Sequence, residues 1–456
     1  MINRLDPQLV EECEMHIVGH KIFVRLKDIP MYLSKKTKDS IRNRYSHSVE
    51  VGFGTEYLLS NISRQLGEGV NLDFFNIAKI VGMVHDIGHT AFSHDGEVIL
   101  DRLLRQASSS LKKPITFNAN LNNFRRIEKY ALFDVLPEDV KKYAFSSLIK
   151  RKSELLEYPE YLYLKDDLDK AMQLEEKYLA SKGISIQHTS SKTILCQAMD
   201  LADENRYRVT DIIDALNIYS KQKLKEILTR SIRSEVRVKD LRKFVEFPVQ
   251  IKGPIKEKHS DTLKIKKLLI LLLNQESHAK TEFQNVMNRI SMAFNRNFKL
   301  SKKGKLIPIS EELEALRSDF QRVASIYIWG SKKVQNIKKP FKHYFTTVAE
   351  YFINENYKKE FIDSSSYKKD LLYLEKKILS KKEKREKELL LLRNFLGGLT
   401  NYKIIELYKK IKLSECENYL GYDVDKKEKF LAKEPLPIFE KKLEKYKKRM
   451  NKYKSA

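Results

Sequence analysis

The sequence predicts a mostly α-helical protein, and three observations support this prediction. The 456 residues include only 15 Gly and 11 Pro, so residues that favour turns are scarce. Charged residues, among them the helix-favouring Lys, Arg and Glu, make up 32% of the chain. Apolar residues also recur at helical spacing over several long stretches. Packed helices are therefore expected to form the core.

The first hundred residues contain three predicted elements. Residues 17–24 surround a Gly-His pair, which predicts a short hairpin. Helical spacing then predicts one helix from Ser40 to about Gln65, and a second, buried helix from about Asn71 to Ile87. Gly88 stands where the residue after a helix C-terminus is expected. The second helix should therefore end directly at the motif that follows it.

Helical patterns continue through the rest of the chain. A polar stretch at 116–127 is predicted to open a helix, and 191–216 is predicted to be a long one. Residues 221–309 mix charge with a few apolar windows and are interpreted as an insertion or subdomain. Residues 310–456 are interpreted as a C-terminal helical region that packs on the core formed by residues 1–220 and ends in a Lys-rich tail.

The charge balance and the cysteines limit the class of protein. A net charge of +26 should attract polyphosphates, nucleic acids or anionic membranes. Cys13, Cys196 and Cys416 lie far apart, which argues against a disulfide framework or a thiolate zinc site. The longest aliphatic run, Leu268 to Leu273, is too short to span a bilayer. We therefore expect a soluble, cytoplasmic protein without a membrane partner.

The densest group of metal-ligand side chains lies between residues 81 and 97. An apolar run ends in His85-Asp86, and His89, His94 and Glu97 follow within twelve residues. Imidazole and carboxylate groups together suit a divalent ion that keeps open positions, such as Mn, Mg, Fe, Co, Ni or Zn. Each histidine alone could instead be a hydrogen-bonded core or loop residue. Four of the ten histidines fall between residues 47 and 94, however, which favours a metal site with His47 as a third ligand.

The 191–216 helix carries a stripe of acids around a tyrosine. At 100° per residue, Asp200, Asp203, Tyr207, Asp211 and Asp214 fall within an arc of roughly 80°, opposite an apolar face. Such a stripe could simply be a solvated surface. The scarcity of Lys and Glu on this arc, in so lysine-rich a chain, favours a functional role, and a fourth metal ligand is expected here.

These motifs resemble the HD-domain superfamily of metal-dependent phosphohydrolases, specifically the deoxynucleoside triphosphate (dNTP) triphosphohydrolases of the bacterial dGTPase type. The resemblance rests on several segments in the family's order, namely Arg42–Val51, His85–His89, Phe92–Glu97, Phe117–Arg125, Asp200–Asp211 and Phe395–Asn401. It implies an HD-domain helical core with a helical insertion.

The resemblance also implies roles for particular residues. The metal ligands would be His47, His85, Asp86 and Asp203; Asp203 is preferred to Asp200 because it precedes Tyr207 by four positions, as in the family. Catalysis would use His94 paired with Glu97, and His89 would contact phosphate. The substrate-binding residues would be Arg44, Asn120, Arg125, Tyr207 and Asp211, with Arg44 on phosphate and Asp211 accepting from the sugar 3′-hydroxyl.

The reaction implied is hydrolysis at the α-phosphorus of a dNTP, most readily dGTP, to deoxynucleoside and inorganic triphosphate. The resemblance further implies a homo-oligomer, with sites at which an allosteric nucleotide could bind. Asn122 replaces the family's usual Gln, so the base preference is open. Two other interpretations also stay open. One is another HD phosphohydrolase, either a nucleotidase or a phosphodiesterase. The other is a nucleic-acid-binding protein with a secondary HD site, for which single-stranded DNA is the ligand to test.

Overall fold

The computed structural model describes residues 6–29, 42–67, 76–157, 161–189, 191–246, 261–274, 279–354, 377, 379–420 and 436–454. These residues form a mostly α-helical fold, which confirms the predicted fold class. The one sheet within these ranges has two strands. Within the same ranges, no helix has both the length and the hydropathy needed to cross a membrane.

Helices dominate throughout the described chain, and eighteen α-helical segments are numbered here in chain order with the two strands. They are α1 (Pro7–Gly19), α2 (Lys21–Val24), α3 (Arg44–Leu66), α4 (Ala78–Val84), α5 (Ser93–Ala107), α6 (Ala119–Lys129), α7 (Glu138–Ser146), α8 (Leu164–Ser181), α9 (Ile194–Ile218), α10 (Lys221–Ser231), α11 (Val238–Arg242), α12 (Ile265–Asn274), α13 (Ala279–Arg296), β1 (Phe298–Leu300), β2 (Leu306–Pro308), α14 (Glu311–Arg322), α15 (Lys332–Ile353), α16 (Lys381–Leu396), α17 (Asn401–Leu420) and α18 (Leu436–Lys454). Two 3₁₀ turns (Arg25–Asp28 and Lys152–Glu157) and a π-helical segment (Val323–Trp329) are also present.

The chain divides into two compact units. The first contains residues 1–87 and 123–337, and the second contains residues 88–122 and 338–456. Two helices, α6 and α15, contribute residues to both units.

The first unit is built around α3, α4 and α9. Helix α3 packs against both α4 and α9, and α13 packs against α9. The C-terminal half of α9 shares a buried apolar core with α10, α12, α13 and α14, which includes Ile212, Leu268, Phe294 and Phe320. Strands β1 and β2 form an antiparallel hairpin in which Lys299 pairs with Ile307. The three central helices therefore have fixed positions relative to one another.

The long helices of this unit begin where their sequences supply a cap. The Asn43 side chain accepts a hydrogen bond from the backbone N–H of Ser46 (3.0 Å) at the start of α3. Thr193 does the same for Cys196 (3.0 Å) at the start of α9, and Ser310 for Leu313 (3.2 Å) at the start of α14. Each cap satisfies a backbone donor that has no acceptor within its own helix.

The second unit joins α5 to the C-terminal helices. Helix α16 begins with a capping box between Ser380 and Glu383 and packs against α5. Helix α18 packs against α17, where Phe439 and Leu413 are buried together.

Two predictions about local structure are wrong. Residues 17–24 are helical, because α1 runs to Gly19 and the His20 side chain accepts from the Ile22 N–H (3.2 Å) to begin α2. Helix α4 ends at Val84, and residues 85–88 form a turn, so Gly88 does not follow a helix end. Part of the second predicted helix, residues 71–75, lies outside the described residues.

Candidate metal centre

Four of the predicted ligand side chains come together in the first unit. Helix α3 supplies His47, the turn after α4 supplies His85 and Asp86, and α9 supplies Asp203. Nε2 of His47 lies 3.0 Å from Asp203 Oδ1 and 3.8 Å from Asp86 Oδ2. Nε2 of His85 lies 3.3 Å from Asp86 Oδ1 and 3.7 Å from Asp203 Oδ1. Ligand atoms of His47, His85 and Asp203 all lie within 4.8 Å of one another, a spacing that one ion could bridge.

Two glycines allow the helices that carry these histidines to approach closely. A Cβ atom added at Gly82 of α4 would lie 2.7 Å from the Cα atom of Gly52 in α3. Such a distance is far inside van der Waals contact, so any larger residue at Gly82 would push α3 and α4 apart. The close packing places the rings of His47 and His85 with their centroids 5.6 Å apart.

The hydrogen bonding of His85 defines which of its nitrogens faces the acids. Its Nδ1 lies 2.6 Å from the carbonyl oxygen of Gly82, which can only accept, so Nδ1 must carry a hydrogen. Nε2 is buried and has no hydrogen-bond partner, although two carboxylate oxygens lie within 3.7 Å. In the neutral ring this nitrogen is an acceptor that faces other acceptors, an arrangement that a cation between them would satisfy. The residues present therefore fit a metal ion.

The charge states around Asp203 also suit a metal. Burial opposes ionisation of Asp203, but His85, His47 and Lys150 outweigh it and hold the pKa of this carboxyl well below its usual range. Burial likewise lowers the pKa of His47, against the opposing effect of Asp203 and Asp86. A neutral imidazole and an ionised carboxylate are the forms that bind a divalent cation.

Hydrogen bonds from neighbouring side chains hold the turn in place. Arg44, the first residue of α3, is buried and donates to Asp86, while Asn123 of α6 donates to the carbonyl oxygen of His85. The predicted phosphate contact of Arg44 is compatible with this bond, since a guanidinium carries five N–H donors. Arg125 lies half-buried on the same helix α6, in the first unit.

Two lysines next to the acids were not found from the sequence. Lys150 Nζ lies 3.2 Å from Asp200 Oδ1 and 3.6 Å from Asp203 Oδ2, and Lys192 forms an ion pair with Asp200. Burial disfavours the charged form of Lys150, but Asp203 and Asp200 raise its pKa above the usual range. In a chain with 87 Lys and Arg residues, neither lysine had a spacing that could single it out.

The acidic stripe of α9 is not a solvated surface. Asp211 and Asp214 are 3% and 4% exposed, and the side chains of Asp200 and Asp203 are 17% and 21% exposed. Tyr207 donates its hydroxyl to Gln321 Oε1 (2.9 Å), and Asp211 accepts from Trp329 Nε1 (2.6 Å). The interpretation of this face as a solvated surface is therefore wrong.

A second cluster, His89, His94 and Glu97, forms in the second unit. Glu97 accepts from His89 through Oε1, and its Oε2 lies 3.4 Å from Nδ1 of His94. The ligand-type atoms of all three lie within 4.8 Å of one another, and the His94 side chain is 78% exposed. Burial opposes ionisation of Glu97, but the two histidines hold its pKa well below the usual range. Asn120 also belongs to this unit, half-buried in the first turn of α6.

The backbone that carries the second cluster is tightly constrained. Phe92 and Ser93 have left-handed φ values of 60° and 54°, and the Phe92 N–H donates to Asn401 Oδ1 (2.8 Å). Thr90 donates to the carbonyl oxygen of Leu396 (3.0 Å). A Cβ at Gly96 would lie 2.0 Å from the Ala91 carbonyl oxygen, so only glycine fits there. The Phe395–Asn401 segment thus supports the turn that leads to His94 and Glu97.

Comparison with known proteins identifies distant relatives. No protein-family model matches the chain. A deoxyguanosinetriphosphate triphosphohydrolase-like protein 2 of Vibrio cholerae is 27% identical over 201 residues, 43% of this chain and 43% of the relative. Deoxyguanosinetriphosphate triphosphohydrolase-like proteins of Brucella anthropi (27% over 234 residues, 49% and 51%) and Sinorhizobium medicae (34% over 124 residues, 26% and 27%) also match.

In these matches the chain spans about half the length of each relative or less. The similarity nevertheless agrees with the family that the motifs resemble. The chain is thus distantly similar to dGTPase-like proteins.

Proposed function

We propose that this protein is a divalent-metal-dependent hydrolase that converts dNTPs, with dGTP preferred, into deoxynucleoside and inorganic triphosphate. The observation that carries the proposal is the convergence of His47, His85 and Asp203 from three separate helical regions, with the buried Nε2 of His85 facing carboxylate oxygens. The similarity to proteins named deoxyguanosinetriphosphate triphosphohydrolase-like also supports a hydrolase of this kind.

His47, His85, Asp86 and Asp203 would hold the ion. A divalent ion, when bound, supplies a Lewis acid that polarises a phosphoryl oxygen and activates water. Lys150 is held as a cation beside Asp203, and Arg44 lies against Asp86. Both bring positive charge next to the ligands, where it would attract the phosphate chain and offset the charge that develops on it.

In the proposed reaction, the triphosphate chain is transferred from the 5′ oxygen of the sugar to water. Water adds to the α-phosphorus, the bond from that phosphorus to the sugar 5′ oxygen breaks, and the 5′ oxygen takes up a proton. We assign proton transfer to His94, oriented by Glu97, and a phosphate contact to His89. Arg125 and Asn120 would bind substrate, and Tyr207 and Asp211 would bind the sugar.

The direct test identifies the phosphate product. Purified protein is incubated with Mn or Mg and each dNTP in turn, and the products are separated by anion-exchange chromatography. We expect equal amounts of deoxynucleoside and inorganic triphosphate, most rapidly from dGTP. Release of only pyrophosphate or monophosphate would exclude the reaction, and activity on nucleoside monophosphates alone would indicate a nucleotidase instead.

A matched pair of variants separates loss of the metal from loss of the fold. Asp203→Asn should reduce bound metal, measured by inductively coupled plasma mass spectrometry, and should lower kcat at least about a thousandfold. Glu226→Gln makes the same change at an acid of α10 whose side chain is 42% exposed, and it should have no effect on either quantity. Equal metal content in the two variants would remove Asp203 from the ligand set.

A further inference from the structure

Both residues predicted to bind the sugar are hydrogen-bonded by one short segment of the first unit. Tyr207 donates its hydroxyl to Gln321 Oε1 (2.9 Å), which also accepts from Arg208 Nε (2.8 Å). Eight residues further on, Nε1 of Trp329 donates to Asp211 Oδ2 (2.6 Å). Residues 321–329 therefore contact α9 at the side chains on which sugar recognition would depend.

The π-helical segment explains how Gln321 and Trp329 can both face α9. In an uninterrupted α-helix, two residues eight positions apart point about 80° away from each other. Residues 323–329 have wider turns, with an i→i+5 hydrogen bond from Gly330 N to Ser325 O (2.9 Å). At roughly 82° per residue over these seven positions, the angle between the two side chains falls to about 45°.

Contacts at the far end of α9 fix the position of this segment. The Tyr219 hydroxyl lies 3.1 Å from the Tyr327 carbonyl oxygen and 2.6 Å from Ser331 Oγ. Gln335 donates to the carbonyl oxygen of Trp329 (2.8 Å). Trp329 is thus held by hydrogen bonds at both its backbone carbonyl oxygen and its indole nitrogen.

Asp211 needs such a donor because it is buried. The residue is 3% exposed, and a buried carboxylate that lacks donors is strongly disfavoured. An indole N–H can only donate, and it is part of a rigid ring, so it fixes the direction of the carboxylate. A carboxylate with a fixed direction can accept a further hydrogen bond at a defined position.

We propose that Trp329 is a positioning residue that orients Asp211 for the 3′-hydroxyl of the deoxyribose. This inference rests on the proposed function. The chain contains a single Trp, so tryptophan fluorescence reports on this residue alone.

The kinetic test compares dGTP with 2′,3′-dideoxyguanosine triphosphate (ddGTP), which lacks the 3′-hydroxyl. The wild type should prefer dGTP over ddGTP by at least about tenfold in kcat/KM, as expected for a hydrogen bond to a charged group. Trp329→Phe keeps an aromatic ring and removes the N–H. It should raise the KM for dGTP about tenfold, change kcat less than about twofold and leave ddGTP nearly unaffected.

Tyr327→Phe is the matched control, since it removes one polar group from the same π-helical segment and should leave the preference for dGTP unchanged. A folded Trp329→Phe variant that keeps the wild-type preference would overturn the inference. A wild type that hydrolyses dGTP and ddGTP equally well would also overturn it, while the proposed function would stand. Failure to release triphosphate from any dNTP would instead refute the proposed function itself.

A second measurement applies if Trp329→Phe does not fold. Tryptophan emission of the wild type is recorded with deoxyguanosine and with 2′,3′-dideoxyguanosine, neither of which can be hydrolysed. Deoxyguanosine should change the emission at lower concentration, because its 3′-hydroxyl would share the carboxylate with the indole. Identical responses to the two nucleosides would contradict the role of Trp329.

Discussion

Removal of the Glu175 carboxylate should destabilise the first unit and displace α9, which carries Asp203. Glu175 is 1% exposed and lies in α8. Its oxygens accept from the backbone N–H of Ile194, the first residue of α9 (2.9 Å), and from the Tyr143 hydroxyl (2.6 Å). Its Oε2 also lies 2.9 Å from Nε2 of His188. One carboxylate therefore connects α7, α8 and α9.

The size of the effect follows from these bonds. Each hydrogen bond to a charged acceptor contributes about 1.5–3 kcal/mol, and removal of one partner of a buried charged group costs about 3–5 kcal/mol. Glu175→Ala should therefore lower the free energy of unfolding by about 3–5 kcal/mol. Tyr143→Phe removes only one donor and should cost about 1–3 kcal/mol.

Urea denaturation followed by circular dichroism measures both variants under the same conditions. The metal content of the folded fraction, measured in parallel, should also fall in Glu175→Ala because the start of α9 is no longer held. A smaller loss of stability in Glu175→Ala than in Tyr143→Phe would show that the carboxylate does not connect the helices.

Three further variants test other parts of the structure. Gly82→Ala should lower the free energy of unfolding by about 1–3 kcal/mol and weaken metal binding, because the added Cβ would meet α3. Gly19→Ala is the control, because the space around Gly19 is open, and it should change neither the denaturation curve nor the metal titration. Asn401→Ala removes the acceptor of the Phe92 N–H and should lower kcat for dGTP about tenfold with metal content unchanged; an unaltered kcat would contradict the support of His94 by this turn. Burial opposes ionisation of Asp95, but Lys338 and Lys342 outweigh it and hold the pKa of this carboxyl below its usual value. The ionised carboxylate therefore stabilises the fold at pH values above its unfolded-state pKa of about 3.9, and this contribution is lost as the pH falls from there through the folded-state pKa. Asp95→Asn should therefore flatten the acid end of the pH–stability curve, and an unchanged curve would count against the two ion pairs.

The sequence was most informative where periodicity and composition agreed. The helix predicted at 191–216 is α9, Ile194–Ile218, and its acids lie on one face. That this face is buried was suggested only by its lack of Lys and Glu. The approach of His47 on α3 to Asp203 on α9 could not be derived from spacing, since 156 residues separate them. The two helices lie close together where Gly54 of α3 faces Ala202 of α9, and a Cβ added at Gly54 would lie 3.3 Å from that of Ala202.

Predictions from the local sequence were less successful where contacts made by particular side chains determine the structure. Gly19-His20 has the composition of a turn, but His20 caps α2 and the chain remains helical. The hairpin formed by β1 and β2 was not predicted, because its strands lie in a stretch rich in charged residues. Its turn contains Gly304 at a φ of 64°. Lys150 became visible as a neighbour of Asp203 only once the chain was folded.

We have proposed that His47, His85, Asp86 and Asp203 hold a divalent ion. The most direct measurement is an anomalous difference map from crystals grown with zinc. We expect a peak about 2.0–2.2 Å from Nε2 of His47, Nε2 of His85 and a carboxylate oxygen of Asp203. Zinc peaks elsewhere in the crystal, with none among these side chains, would contradict it.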